Sequence, residues 1–188
     1  MREYLAALTI VLMLGMVWTR VLLMKKAGIK AVHFGRIDKK DFLIPPFALF
    51  YFYIVFTPAL HLPPVTRQVF FRSEALSWAG SALCLAGLSL LFISLLSFGK
   101  SFRIGIDTGK PGRLVTTGVF ALSRNPIYTA FGMILLGQFL IQPNGILLLY
   151  IGAGYWLFHR QVLREEAFMK RRYGKAFTRY RQRVRRYL

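Results

Sequence analysis

Residues 76–98 read LSWAGSALCLAGLSLLFISLLSF, 23 positions without one charged side chain. A helix rises ~1.5 Å per residue and the hydrocarbon core of a bilayer is ~30 Å thick, so about 20 such residues cross it. Working outward, residues 4–24 and 42–62 are apolar runs of similar length. The second holds Pro45, Pro46 and Pro58. The first two suit the opening turn of a helix, and Pro58 ends or kinks it near the far side. A fourth apolar region, residues 127–158, is broken by Gln142-Pro143-Asn144-Gly145, a strong turn signal, and reads as a tight hairpin of two helices. Its second arm continues through polar residues such as Gln161–Glu166 out of the membrane. The expected fold is one all-α integral membrane domain over residues 1–188, with about five transmembrane helices, a C-terminal helical hairpin and a cytoplasmic amphipathic tail helix.

Charge placement gives the direction. The chain carries 26 Lys and Arg against 7 Asp and Glu, for a net charge of +19. With the N-terminus outside, 23 of those 26 basic residues fall on the inner side, in residues 20–40, 100–124 and 160–186. Arg2, Arg67 and Arg72 stay outside, and the hairpin turn has none. Cytoplasmic loops carry such an excess, so the expected topology is N-terminus outside and C-terminus cytoplasmic. The expected location is a prokaryotic inner membrane.

Composition removes other classes. Hydrophobic residues make up 55% and mean hydropathy is +0.46, too apolar for a soluble domain of this size. A soluble protein with this charge would suggest nucleic acid as partner. Here the basic residues flank apolar runs, so anionic lipid headgroups are the expected counter-charge and nucleic acid is not. Cys84 is the sole cysteine, which rules out an intramolecular disulfide and a cysteine metal centre. His33, His61 and His159 are scattered, so no metal is expected. Residues 4–24 are too long for a signal-peptide core and end in basic residues, so no cleaved leader is expected.

Four inner-side stretches draw attention. The loop over residues 99–123 contains Gly99, Gly105, Gly109, Pro111, Gly112 and Gly118, and loops of that length are usually functional or disordered. Next comes Arg124-Asn125-Pro126-Ile127-Tyr128. Asn125 fits an N-cap and Pro126 the first helical position, so the helix would aim its free N–H groups at the interface, where an anion is stabilised. The same residues also read as an ordinary capped membrane helix anchored by Arg124. Glu165 and Glu166 sit amid Arg160, Arg164, Lys170, Arg171 and Arg172, with Gln161 one helical turn before Glu165. They could hold a cationic ligand or simply neutralise those arginines. Finally, Tyr173, Phe177, Tyr180, Val184 and Tyr187 recur at spacings of 4, 3, 4 and 3, the period of an amphipathic helix. Such a tail could lie on the inner leaflet, or fold back over the glycine-rich loop and close a site, with Gly174 as the joint.

Taken together, residues 98–185 resemble the isoprenylcysteine carboxyl methyltransferase family, within the small integral membrane methyltransferases that include phospholipid N-methyltransferases. The family pattern runs Leu-Val, then a small residue, Gly and an aromatic. Arg-His-Pro-x-Tyr follows, then a helical hairpin, a Glu-Glu pair, and an aromatic-Gly with spaced aromatics ending at Val-x-Arg. This chain has Leu114-Val115, Thr117-Gly118-Val119-Phe120, Arg124-Asn125-Pro126-Ile127-Tyr128, Glu165-Glu166, Tyr173-Gly174, Phe177, Tyr180 and Val184-Arg185-Arg186 in the same order and spacing.

The resemblance implies S-adenosylmethionine as cofactor, residues 98–188 as the half that binds it, and a lipophilic substrate within the membrane. It implies that Leu114, Val115, Phe120, Asn125, Pro126, Ile127, Tyr128, Glu165 and Glu166 hold the cofactor, with Glu165 and Arg124 nearest the chemistry. Phe120 stands where the family often has Tyr. Asn125 replaces the commoner His, and it can hydrogen-bond but cannot titrate. Four residues before the first Glu, the prenylcysteine enzymes resemble one another in an Arg that holds the substrate carboxylate. Here Gln161 stands there, a neutral amide in place of a charged fork, so the expected acceptor is a different lipophilic nucleophile: a thiol, an amine or another lipid acid. Arg124 or Arg103 is the alternative holder of a carboxylate. Two other classes stay open: an NAD(P)H-dependent membrane reductase of the sterol and steroid type, and a non-enzymatic membrane scaffold.

Overall fold

The computed structural model describes residues 2–29, 32–33, 44–65, 69–102, 104–105 and 112–188. Lys30, Arg36, Lys39, Lys40, Thr66, Arg67, Arg103 and Lys110 lie outside the described residues, and with them the expectations for Arg103 and for several of the loop charges. Six α-helices follow in order among those described: α1 (Arg2–Lys26), α2 (Ile44–Phe56), α3 (Glu74–Phe98), α4 (Pro126–Ile141), α5 (Gly145–Tyr173) and α6 (Lys175–Arg183). The fold is all-α apart from two-residue strands β1 (Val32–His33) and β2 (Ile104–Gly105), paired in parallel with Val32 opposite Ile104.

Local chemistry sets these boundaries. Ser73 Oγ accepts from the Leu76 N–H at 3.3 Å and starts α3. Asn144 Oδ1 accepts from the N–H groups of Ile146 and Leu147 at 3.1 and 2.9 Å, so the Gln-Pro-Asn-Gly turn closes into α5 as its spacing predicts. Pro45 and Pro46 fall in the first turn of α2. The helix stops at Phe56, two residues before Pro58, and residues 57–61 form a turn. At 13 residues α2 is therefore well short of the expected run. α1 and α3, 25 residues each, are long and apolar enough to cross a bilayer. α4 has 16 residues, and the 29 of α5 pass from an apolar half into a basic one.

Large apolar side chains are exposed along the long helices, while several polar ones are buried among the apolar core. Trp18, Leu85, Leu96, Leu149 and Trp156 each leave 60% or more of their surface exposed, while Ser77, Ser94, Gln138 and Asn144 are buried. Water would oppose that distribution and lipid tails favour it. Lipid provides no hydrophobic drive between helices, so close packing of small residues must hold them. α3 and α4 make the broadest helix contact, over Gly80, Gly87 and Gly137. A Cβ on Gly137 would lie 2.6 Å from both the Gly80 carbonyl oxygen and Cys84 Sγ. Gln138 Nε2 donates to the Ala6 carbonyl at 2.9 Å and ties α4 to α1. One apolar cluster, with Ile10, Val55, Leu88, Ile134 and Leu147, joins α1 through α5. A second, with Met24, Leu91, Leu95, Phe102 and Ala130, lies beside the candidate site.

Candidate functional site

The site is assembled where three segments meet: the end of the glycine-rich loop, the start of α4, and the basic half of α5 with the tail behind it. Gly118, at φ +64°, opens a 3-10 turn (Gly118–Ala121) that buries Val119 and Phe120. A Cβ there would meet Ser97 Oγ at 2.7 Å, so glycine is required both for φ and for the approach to α3. The Phe120 ring packs on Phe98 with centroids 4.6 Å apart, which pins the loop to the C-terminal end of α3.

The tail folds back over this loop. Tyr180 Oη donates to the Phe120 carbonyl at 2.6 Å, and Tyr173 Oη donates to the Gly112 carbonyl. Phe177 and Tyr180 are buried, and Gly174, at φ +51°, makes the turn between α5 and α6. A short parallel bridge joins Ser123 to Arg185, with the Arg124 N–H donating to the Arg185 carbonyl at 2.9 Å. Of the two arrangements open from sequence, the fold-back is the one observed. The apolar stripe is spent on protein contacts.

Glu166 is the hub of that closure. Its carboxylate accepts from Arg124 Nε and Nη2 at 3.1 and 2.9 Å, from Arg186 Nε and Nη2 at 3.2 and 3.1 Å, and from Asn125 Nδ2 at 3.3 Å. Arg124 Nη1 also donates to the Arg181 and Val184 carbonyls. Burial works to raise the Glu166 carboxyl, but hydrogen bonds from Arg186 and Arg124, with their charges, outweigh it and hold the group below the usual carboxylate range. Asn125 precedes α4 as expected, yet its side chain makes no capping bond. It donates instead to Glu166 and to the Arg186 carbonyl, buried acceptors with a stronger demand for a donor than a helix end.

Glu165 points elsewhere. Its Oε1 accepts from Tyr128 Oη at 2.6 Å and from Gln161 Nε2 at 2.9 Å. Burial raises its carboxyl above the ordinary value, opposed by those two hydrogen bonds and by the Arg164 charge. It lines a cavity of about 500 Å³, within the range of small-molecule sites. Leu114, Val115, Phe120, Arg124, Asn125, Pro126, Ile127 and Tyr128 line the same cavity. Glu166 and Gln161 do not: the first is turned to the tail, the second supports Glu165 from behind.

Sequence reading missed part of the lining. Met13, Leu14 and Val17 of α1 and Leu91 and Leu95 of α3 add apolar lining to the cavity, and Ser101 and Arg113 add polar lining beside Arg124, Asn125 and Glu165. Those α1 and α3 positions carried no signal, because every face of an all-apolar helix looks alike. Arg113 was one loop charge among several. Tyr173 and Tyr180 were visible as the tail stripe without their place in the cavity wall being legible. Among the described residues no cluster of three or more His, Cys, Asp or Glu is arranged to hold a metal ion.

A family model described as phospholipid methyltransferase matches residues 75–176. The protein-S-isoprenylcysteine O-methyltransferase of Schizosaccharomyces pombe is 30% identical over 105 residues, covering 54% of this chain and 44% of that protein. Protein-S-isoprenylcysteine O-methyltransferase B of Arabidopsis thaliana is 28% identical over 127 residues, 64% of each chain. The solved structure of a eukaryotic intramembrane Ras methyltransferase, isoprenylcysteine carboxyl methyltransferase, superposes with a TM-score of 0.61 at 22% identity. That superposition covers 88% of this chain and 58% of the other, and it shows a shared membrane fold. This chain thus spans between 44% and 64% of the length of these relatives. The reductase and scaffold readings gain nothing from these matches.

Proposed function

The chain belongs to the phospholipid methyltransferase family, and on that premise we propose that it is an S-adenosylmethionine-dependent membrane methyltransferase acting on a lipophilic small molecule or lipid. The observation that carries this reading is a cavity of about 500 Å³ lined together by Leu114, Val115, Phe120, Arg124, Asn125, Pro126, Ile127, Tyr128 and Glu165, and by apolar residues of α1 and α3.

The donor set fits the cofactor. S-adenosylmethionine bears a sulfonium and an ammonium beside a carboxylate, and when bound it supplies an electrophilic methyl group. Glu165, ionised, faces a cation, and Tyr128 and Gln161 fix the carboxylate in place by donating to Oε1. Arg113, in the same lining, meets a carboxylate. Leu114, Val115, Pro126 and Ile127 provide apolar walls. Arg124, Asn125, Glu166 and Arg186 hold the tail over the site, so their part is positioning and the exclusion of water. The apolar lining from Met13, Leu14, Val17, Leu91 and Leu95 takes the acceptor's apolar portion.

The names of the curated relatives point to prenylcysteine carboxylates. Gln161 argues for another acceptor here, a thiol, an amine or a different lipid acid, since its amide is neutral and committed to Glu165. Arg124 is committed to Glu166 and to the tail carbonyls. Among the described residues that line the cavity, Arg113 is the cation left to hold a carboxylate acceptor.

Five crossings with the N-terminus outside and the tail cytoplasmic remain the topology that the basic residues support, with α2, α4 and α5 joining α1 and α3. The two relatives come from a yeast and a plant, and neither speaks for a prokaryotic inner membrane.

The test is to incubate purified protein with methyl-labelled S-adenosylmethionine and a total lipid extract, and to identify the labelled product. A labelled lipophilic product supports the reading, and no transfer to any lipid fraction counts against it. A farnesylcysteine analogue methylated as fast as the best acceptor would overturn the acceptor assignment alone.

A further inference from the structure

After Glu166 the chain has no acidic residue, while nine Lys and Arg follow. Arg186 is paired with Glu166. On α6, Lys175, Arg179 and Arg183 recur at i, i+4 and i+8, and all three are exposed. They lie on one side of the helix, centred about 130° round its axis from Phe177 and Tyr180, which are buried. Arg171 and Arg172, exposed at the end of α5, extend the same basic surface. None of these five side chains makes an ion pair among the described residues.

The position of this face matters as much as its charge. Tyr180 holds α6 to Phe120, and Phe120 packs on Phe98, the last residue of α3. α6 therefore sits beside the C-terminal end of α3, which on the proposed topology is where that helix leaves the bilayer. An uncompensated cationic surface at that height faces lipid headgroups. Because the apolar stripe is already spent on protein contacts, no insertion between acyl chains is available, and the attraction is electrostatic.

We propose that Lys175, Arg179 and Arg183, with Arg171 and Arg172, form a binding surface for anionic lipid headgroups that is separate from the methyltransferase cavity. The partner is committed by charge and location: a lipid phosphate monoanion in the leaflet on the tail side. Zwitterionic headgroups present no net charge to such a surface. A headgroup bound there also holds α6 closed over the cavity, since one short helix carries both faces.

The experiment titrates the full chain in neutral detergent with phosphatidylglycerol or phosphatidylcholine and counts bound lipids by native mass spectrometry. The protein should prefer phosphatidylglycerol, and raised salt should remove the preference. Each basic residue near an anionic surface is worth about fivefold in affinity, so Lys175→Gln/Arg179→Gln/Arg183→Gln should bind phosphatidylglycerol roughly a hundredfold more weakly. Equal affinity for both lipids, or undiminished phosphatidylglycerol binding by the triple variant, overturns the proposal. If the triple variant does not fold, Arg171→Gln/Arg172→Gln provides the same test with a loss of roughly twentyfold. Displacement of phosphatidylglycerol by a short RNA at physiological salt would assign the surface to nucleic acid and also overturn it. These outcomes are independent of cofactor binding, which is measured separately.

Discussion

Arg124 and Glu166 lie 42 positions apart and meet at 2.9 Å, both all but removed from solvent. Each also has a second partner in the tail: Glu166 bonds to Arg186, and Arg124 to the carbonyls of Arg181 and Val184. The pair thus joins the start of α4, the basic half of α5 and the C-terminus in one knot, and the cavity wall depends on it.

Removing one partner of a buried pair leaves an uncompensated charge and costs about 3–5 kcal/mol. Glu166→Gln and Arg124→Gln should each lower the thermal midpoint in detergent markedly and expose the tail to protease. The double variant should lose less than the sum of the two. Strict additivity would show that the two residues do not act as a pair.

The knot is also acid-sensitive, with a definite sign. The Glu166 carboxyl is held below its unfolded value, so its stabilisation is present above the ordinary carboxylate range and is lost as pH falls through the lowered value. Tail protection from protease should persist down to about pH 4.3, the unperturbed Glu value, and fail only below it. Loss of protection at pH 6 would contradict the assignment.

Topology is tested in a Cys84→Ser background. Single cysteines at Ser101 and Thr178 should react only from the cytoplasmic side, and one at Val65, exposed in the α2–α3 connection, only from outside. Reaction of Val65 and Ser101 positions from one face would break the five-crossing account.

At the α3–α4 contact, Gly137→Val should be poorly tolerated, because added methyls would press on the Gly80 carbonyl and on Cys84. Overpacking of this kind costs about 1–3 kcal/mol. Gly132, with open space where a Cβ would stand, should accept alanine without loss. The comparison is read from thermal midpoints in the same detergent, and equal behaviour of the two variants would argue against the packing.

Much of this was legible in the sequence, for identifiable reasons. Residues 76–98 cannot be anything but a lipid-embedded or fully buried helix, and Gln142–Gly145 cannot continue one. The site segments stood out because they match a family pattern, and Leu114, Val115, Phe120 and residues 124–128 meet in one cavity. Division of labour between Glu165 and Glu166 was not legible. Adjacent helical residues project about 100° apart, and which of them faces the cavity depends on the register of α5 against α4, set by distant contacts such as Gly154 on Leu135. The shortness of α2 was half-announced by Pro58. The apolar lining from α1 was silent, since a helix bathed in lipid needs no polar face to betray its inner side.

The central claim is that Glu165 faces a cationic cofactor in this cavity, and equilibrium binding of labelled S-adenosylmethionine to the purified protein tests it most directly. The account predicts saturable binding, no binding of NADPH, and affinity weakened roughly ten- to a hundredfold in Glu165→Gln, the value of a charge-assisted contact. Because the free Glu165 carboxyl is raised, affinity should also fall as pH drops toward that raised value, above the ordinary carboxylate range, and Glu165→Gln should lose this dependence. Binding unchanged in a folded Glu165→Gln protein, or binding of NADPH in place of S-adenosylmethionine, would contradict it.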